Sequence, residues 1–459
     1  MQEKKGRMNM TIQEQIDNAR KALDQIKNYT QEQVDELVYA SAKIIYDNAV
    51  PLAKLAVEET GLGKFEHKIA KNTDTAAVFY DYLKDKKSVG IINEIPEEGI
   101  IEVAHPVGVI GAITPATNPT VTPLGNFMHA IKGKNAIIIS PAPRAEKTTT
   151  DTINLIRQAL VEKNAPADLI QVVSGATIEK SVELMEKCDL VLATGGPGLT
   201  KAAYSSGTPA YGVGPGNPPV ILDRDFDLTE AAKITLVAVG SDNGILCDGD
   251  NLLLYPQETE GNLFDELRNV GIVVYEDAKD VEKFRDALFH DGKIDGDLVG
   301  KDAAVIAKAA GFDLPAETEV IALRIEGVGK DDILGKEIMG PIVVMKAYET
   351  FEEAVDMAVR NMVEAGGVGH TGGILTNNKD HVRYAGERIP VARLLVNQPT
   401  PDAWGPATNG LSPAVSEGCG TWGNNILSAN VDYLHLVNVS RIAMPLDVKP
   451  VVAEEVFKD

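Results

Sequence analysis

Cys247 stands in Ser-Asp-Asn-Gly-Ile-Leu-Cys-Asp-Gly-Asp, a polar bend punctuated by glycine that runs into the apolar stretch 252–254. Such a bend can leave a thiol exposed at a cleft with backbone close to a ligand, where its thiolate could attack a carbonyl carbon. The bland alternative, a small buried hydrophobe, is the commoner fate of a lone cysteine. Cys188, just before the strand-like 189–193, and Cys419, within Gly-Cys-Gly, read as packing or turn residues. These cysteines are too few and too scattered for a disulfide framework, and they show no CxxC or Cys/His ligand spacing. No metal site is expected, and a reducing compartment, the cytoplasm, fits best.

A reactive thiol needs a scaffold. From residue 12 to 61 apolar residues recur at helical spacing (Ile16, Ala19, Leu23, Ile26; then Val34, Leu37, Val38, Ile44, Ile45), with Pro51 opening a further segment. Short continuous apolar runs follow at 107–113, 136–139, 169–173, 190–193 and 220–222, as in strands buried on both faces of a parallel sheet. Helical stretches at 149–161 and 178–186 read as crossovers, giving a doubly wound, Rossmann-type α/β pattern. A second series starts near 229, with strands at 252–254, 271–274, 320–323 and 342–345 and helices at 281–288, 303–310 and 351–361. The expected division is a cofactor domain over 1–228, a catalytic domain over 229–425, and a C-terminal strand and tail over 426–459. That last strand, 433–442, alternates and could pair with another element or another subunit.

The chain's 459 residues suffice for two packed α/β domains. Its 44 Lys and Arg against 67 Asp and Glu, a net charge of -23, repel nucleic acid and anionic membrane surfaces. A nucleotide cofactor remains compatible, because backbone N–H groups and helix N-termini hold it locally. The charged opening leaves little room for a targeting peptide, and no apolar stretch reaches the length of a membrane span.

The segments Ile113-Thr-Pro-Ala-Thr-Asn118-Pro, Ala193-Thr-Gly-Gly-Pro, Ala203-Tyr-Ser-Ser-Gly, Gly212-Val-Gly-Pro-Gly-Asn217, Asp242-Asn-Gly-Ile-Leu-Cys247 and Gly369-His-Thr371 occur in this order. With Lys336-Glu-Ile-Met-Gly-Pro, Arg393-Leu-Leu-Val-Asn and Glu417-Gly-Cys-Gly-Thr-Trp-Gly-Asn-Asn425, they resemble the ordered motifs of the CoA-acylating aldehyde dehydrogenases. The resemblance spans about residues 10 to 443, and within that family it is nearest the succinate semialdehyde and sulfoacetaldehyde types.

It implies Cys247 as nucleophile, Asn118 with the Cys247 backbone N–H as oxyanion donors, and His370 as proton acceptor. By residue type alone, Asn118 could be an Asx-turn residue before Pro119, and a lone histidine is more often structural. For NAD or NADP the matching positions are Thr114, Pro115, Ser140, Pro141, Thr194, Gly195, Gly196 and Gly214. Glu337 matches the position that holds the nicotinamide ribose; by itself it reads as a surface carboxylate. Gly212-Val-Gly-Pro-Gly is not a GxGxxG fingerprint, since no helical pattern follows it.

Hydrolytic aldehyde dehydrogenases carry a general-base glutamate in Glu-Leu-Gly-Gly, where this chain reads Val213-Gly-Pro-Gly, so the resemblance implies transfer to CoA rather than to water. The chain departs from the family at Asp248-Gly-Asp250, where relatives carry a small residue and Glu-Gln; unpaired, those charges would raise the thiol pKa. Pro141–Pro143 likewise lacks a histidine that many relatives carry. Trp404, Thr408 and Asn409, in the turn-rich 398–411, are the expected substrate handles and suggest a short polar or anionic aldehyde, succinate semialdehyde or sulfoacetaldehyde. The alternatives are an acetaldehyde or propionaldehyde enzyme, a hydrolytic enzyme, and a silent nucleotide-binding relative. A homodimer or homotetramer, with a strand extending a neighbour's sheet, is the expected assembly.

Overall fold

In the computed structural model, which describes residues 10–458, the helical opening forms α1 (Ile12–Ile26), α2 (Gln31–Asp47), α3 (Ala49–Thr60) and α4 (Phe65–Leu83). The opening residues 1–9, whose charge argued against a targeting peptide, lie outside the described residues. Thr11 and Thr30 each accept a backbone N–H three residues on, while Glu14 and Gln33 reach back to the cap, satisfying orphan donors at both helix starts. The apolar stripes of these helices pack on the first sheet in one shared core.

After the antiparallel hairpin of β1 (Gly90–Ile95) and β2 (Ile100–Pro106), the chain enters a doubly wound unit. Its strands are β3 (Val109–Thr114), β4 (Ala136–Pro141), β5 (Ile170–Val172), β6 (Leu190–Thr194) and β7 (Ala210–Val213). Between them run α5 (Val121–Lys132), α6 (Glu146–Glu162), α7 (Ile178–Lys187) and α8 (Pro197–Ser205). All pairs are parallel, in the order β5-β4-β3-β6-β7, so the winding reverses between β3 and β6. Ligands bind outside the carboxyl ends of strands at such a switch point, which here means beyond Thr114 and Thr194.

The second sheet is also wholly parallel: β8 (Pro219–Leu222), β9 (Leu252–Pro256), β10 (Val273–Tyr275), β13 (Ile321–Arg324), β14 (Ile342–Tyr348), β15 (Gly369–Leu375) and β16 (Val391–Val396). A minor ribbon, β11 (Phe289–His290) with β12 (Lys293–Ile294), lies outside it. Successive strand residues alternate between two cores: Ile221, Leu252, Leu254 and Val344 face one, Val220, Leu222, Leu253 and Val343 the other. This burial on both faces is what the continuous apolar runs signalled.

One strand changes sheets relative to expectation. The run at 220–222 is β8, which pairs β9 and β15 rather than the first sheet, so the crossing falls at 214–218 instead of at 228. Pro218 and Pro219 have no backbone N–H to donate, which helps the chain leave β7. The C-terminal alternation also resolves differently. Tyr433–Leu436 is a short turn, and only Val437–Ala443 (β17) is a strand, antiparallel to β2 of the same chain.

Candidate active site

The Cys247 loop begins where the helix Leu228–Gly240 (α9) stops. Three consecutive residues turn left-handed: Asp242 at φ 50°, Asn243 at φ 56° and Gly244 at φ 65°. Asn and Asp tolerate this region better than other side chains, but at Gly244 glycine is required, since a β-carbon would stand 2.2 Å from the Gly340 carbonyl oxygen. The Asp242 carboxylate, fully buried, holds the bend to α4: it accepts from Lys68 Nζ at 2.7 Å, Lys71 Nζ at 2.5 Å and the Lys64 N–H at 2.9 Å. Behind Cys247, a β-carbon on Gly216 would come 1.7 Å from the Cys247 carbonyl oxygen and 3.2 Å from the His370 ring. Only glycine fits that gap.

Cys247 opens onto a cavity of about 610 Å³ between the two sheets. Of the residues expected at the site, Asn118, Pro115, Thr194, Gly195, Gly196, Gly214, Glu337 and Trp404 line it with Cys247. Pro115 and Thr194 come from the switch point. Gly196 starts α8 with no side chain capping the first turn, and a β-carbon there would meet nothing within 4 Å. A glycine-rich helix start that borders open space lets a dinucleotide pyrophosphate approach the backbone closely. Gly214 likewise borders open space. Trp404 stacks nearly parallel to Phe79, ring centroids 6.4 Å apart, and its turn is held by Thr400, whose hydroxyl lies between the Asp248 carbonyl and the Asp250 carboxyl and whose N–H donates to that carboxyl.

Other expected residues are not at the cavity. Thr114 is buried at the end of β3 with its hydroxyl unpartnered, and Ser140 is buried with its hydroxyl 2.9 Å from that of Ser181. These residues and Pro141 form the strand ends rather than the cavity surface. His370 is buried behind Gly216 with Nδ1 2.9 Å from the Thr371 hydroxyl. Burial and then Arg393 hold its pKa well below the ordinary histidine range, which keeps the ring neutral. Thr408 is exposed on the loop tip, and the Asn409 amide donates to Gln398 Oε1 and the Asp402 carbonyl, folding the loop instead of facing a substrate.

Acid groups surround the thiol. Burial, then Asp248, Glu417 and Glu337, push Cys247 well above the ordinary thiol range. Asp248 lines the cavity beside it; burial and Glu417 raise its own pKa well above the carboxylate range. Glu417, also in the wall, is raised by burial; one oxygen has no hydrogen-bond partner, and Arg393 Nε stands 3.7 Å away. Asp250 instead turns away to Thr400, and burial pushes it up to about 7. Burial alone raises Glu337 to about 8.

Lys68, Lys71 and Arg144, the last at the cavity rim, were absent from the sequence expectations, and Asp242 and Glu417 stood in motifs with no role of their own. Lys68 and Lys71 did carry a signal: two lysines three apart share one helix face with the polar Asn72 and Thr75, ahead of the apolar Ala76, Phe79 and Leu83. Their partner lies over 170 residues away in sequence, which no local pattern reveals.

Comparison with known proteins gives the family. The aldehyde dehydrogenase family model matches residues 5–269 and 326–410. The succinate-semialdehyde dehydrogenase (acetylating) of Clostridium kluyveri is 46% identical over 433 residues, covering 94% of this chain and 95% of that protein. The crystal structure of an acetylating aldehyde dehydrogenase from Geobacillus thermoglucosidasius superposes with a TM-score of 0.92 at 34% identity, covering 96% of this chain and 98% of that one. The propionaldehyde dehydrogenase of Rhodopseudomonas palustris, solved with bound CoA and an acylated cysteine, gives 0.86 at 25% identity over 95% and 97% of the two chains. The chain belongs to the aldehyde dehydrogenase family, on its CoA-acylating branch.

Proposed function

We propose that the protein oxidises a short polar or anionic aldehyde with NAD or NADP and passes the acyl group to CoA, reversibly, through a thioester on Cys247. One observation carries this reading: Cys247 and the Asn118 amide share a cavity bordered by Gly214, while the position that matches the water-activating glutamate of hydrolytic enzymes is the buried, apolar Val213. In this scheme Cys247 Sγ adds to the carbonyl carbon, and the Asn118 amide and the Cys247 N–H receive the oxyanion. When bound, the nicotinamide supplies the hydride acceptor. Glu337 suits the nicotinamide ribose, and Thr194, Gly195, Gly196 and the α8 N-terminus suit the pyrophosphate. The open side at Gly214 gives the CoA thiol room to attack the thioester. The first sheet would thus carry the cofactor and the second the nucleophile.

Succinate semialdehyde is supported as substrate by the Clostridium kluyveri relative, and the sequence motifs keep sulfoacetaldehyde beside it. Arg144 supplies a positive group in a wall otherwise rich in carboxyls, and Trp404 supplies an aromatic face. We infer a homodimer or homotetramer built on the free edges of β1 and β17. A reducing cytoplasm would keep the three free thiols intact. Among the described residues, no helix is long and apolar enough to cross a membrane.

A hydrolytic reading has one observation in its favour: the Glu417 carboxyl in the cavity wall, one oxygen of which has no hydrogen-bond partner, could serve water as a base. Reduction of NAD+ and of NADP+ with succinate semialdehyde, sulfoacetaldehyde or propionaldehyde, each with and without CoA, separates the two. Turnover requiring CoA and lost in Cys247→Ala is the expected result. CoA-independent release of free acid, lost in Glu417→Gln, would replace acylation with hydrolysis.

A further inference from the structure

We propose that Lys71 is a positioning residue that locks the Asn118 side chain with its amide NH2 turned into the cavity and ties that donor to the loop bearing Cys247. Lys71 Nζ lies 3.0 Å from Asn118 Oδ1. An ammonium has donors only, so the atom it meets is the amide oxygen, and the opposite flip would set two donors against each other. Lys71 Nζ also donates to Asp242 Oδ2 at 2.5 Å, five residues before the nucleophile in the chain. Lys68, on the same face of α4, donates to the same carboxylate oxygen at 2.7 Å and to the Thr117 carbonyl at 2.5 Å, pinning the backbone next to Asn118. Neither lysine is needed to bind a nucleotide or to supply a nucleophile, yet together they hold both halves of the oxyanion site in register.

Two physical effects follow. Without Lys71 the amide can rotate and present its oxygen to the developing oxyanion, a repulsive arrangement. With Lys71 in place, the ammonium draws electron density from the amide and strengthens its N–H donors through the carbonyl.

The inference rests on Asn118 being an oxyanion donor, and its test needs neither cofactor nor native aldehyde. Acylation of Cys247 by 4-nitrophenyl acetate forms the sulfur–carbonyl bond, breaks the ester C–O bond and releases 4-nitrophenolate with the electron pair, while the thiol proton passes to buffer. The burst of 4-nitrophenolate should slow about 10²- to 10³-fold in Asn118→Ala, the loss usual for an oxyanion donor. Lys71→Met should slow it at least about tenfold, and the double variant should be no slower than Asn118→Ala alone, the sign of action through Asn118. Alkylation of Cys247 by iodoacetamide, a displacement with no oxyanion, should stay unchanged in Lys71→Met. A full burst in Lys71→Met, losses that multiply in the double variant, or alkylation that falls in parallel would overturn the assignment. If Lys71→Met does not fold, Lys71→Gln takes its place in the cycle. A full burst in Asn118→Ala would remove the oxyanion role and this inference with it, whereas CoA-dependent aldehyde oxidation tests the reaction class independently.

Discussion

At the scale of single residues the site is a thiol held protonated among carboxyls. After burial, Asp248 is the largest influence that raises the Cys247 thiol, so Asp248→Asn should lower the thiol pKa. The rate of iodoacetamide alkylation followed against pH would then reach half-maximum at lower pH than in the parent; an unmoved midpoint would leave burial as the whole cause. Glu337 yields a second expectation. Its carboxyl, pushed up to about 8 by burial, is largely protonated at pH 7. Ribose hydroxyls donate best to the ionised form, so cofactor affinity should rise as pH passes from 7 through 8. Glu337→Gln should flatten that dependence in a fluorescence titration of NAD+, and a slope that survives would assign the titration to another group.

At the scale of elements, glycines decide how closely the two sheets' loops approach. Gly216→Ala puts a methyl 1.7 Å from the Cys247 carbonyl oxygen, whereas at Gly214 the same methyl meets nothing. Gly216→Ala should therefore melt several degrees lower and lose thiol reactivity, while Gly214→Ala melts like the parent; equal melting of the two would contradict the packing behind Cys247. Other glycines explain what the sequence concealed. Strands β3, β4, β6, β9 and β14 are continuous Val, Ile, Leu and Ala runs and were legible as buried parallel strands. β15 is equally buried but reads Gly-His-Thr-Gly-Gly-Ile-Leu, with too little β-branched character to announce a strand. β8 was legible as a strand but not as a member of the second sheet, because pairing is a non-local choice. Cys247, Asn118 and Glu337 were legible through their motifs, and all three meet at one cavity. The ammonium between Asn118 and Asp242 was not, since it depends on α4 lying against two distant loops.

At the scale of the whole molecule, that same contact joins two cores. α4 contributes Ala76, Phe79 and Leu83 to the core of the first sheet, while the Asp242 bend leads into β9 of the second. Burial works to raise the Asp242 pKa, but Lys71 and Lys68 outweigh it and hold the carboxyl at about 2, below its ordinary 3.8. A folded-state pKa below the unfolded value stabilises the fold at pH values above about 4, by about 2 kcal/mol, and that contribution fades as pH falls toward 2, about half of it gone by pH 3. Lys68 runs the other way: burial and then Lys71 lower it to about 8, so its protonated form costs stability that is recovered as pH rises from 8 toward 10.5. The difference in melting temperature between the parent and Asp242→Asn isolates the carboxylate from other acid-titrating groups. It should be largest near pH 6 and narrow steadily from pH 4 to 3, with tertiary and secondary-structure signals melting together because the tie spans both sheets. A gap that stays constant over that range would mean that the Asp242 charge does not join the two halves, and that packing alone keeps the oxyanion donor and the nucleophile in register.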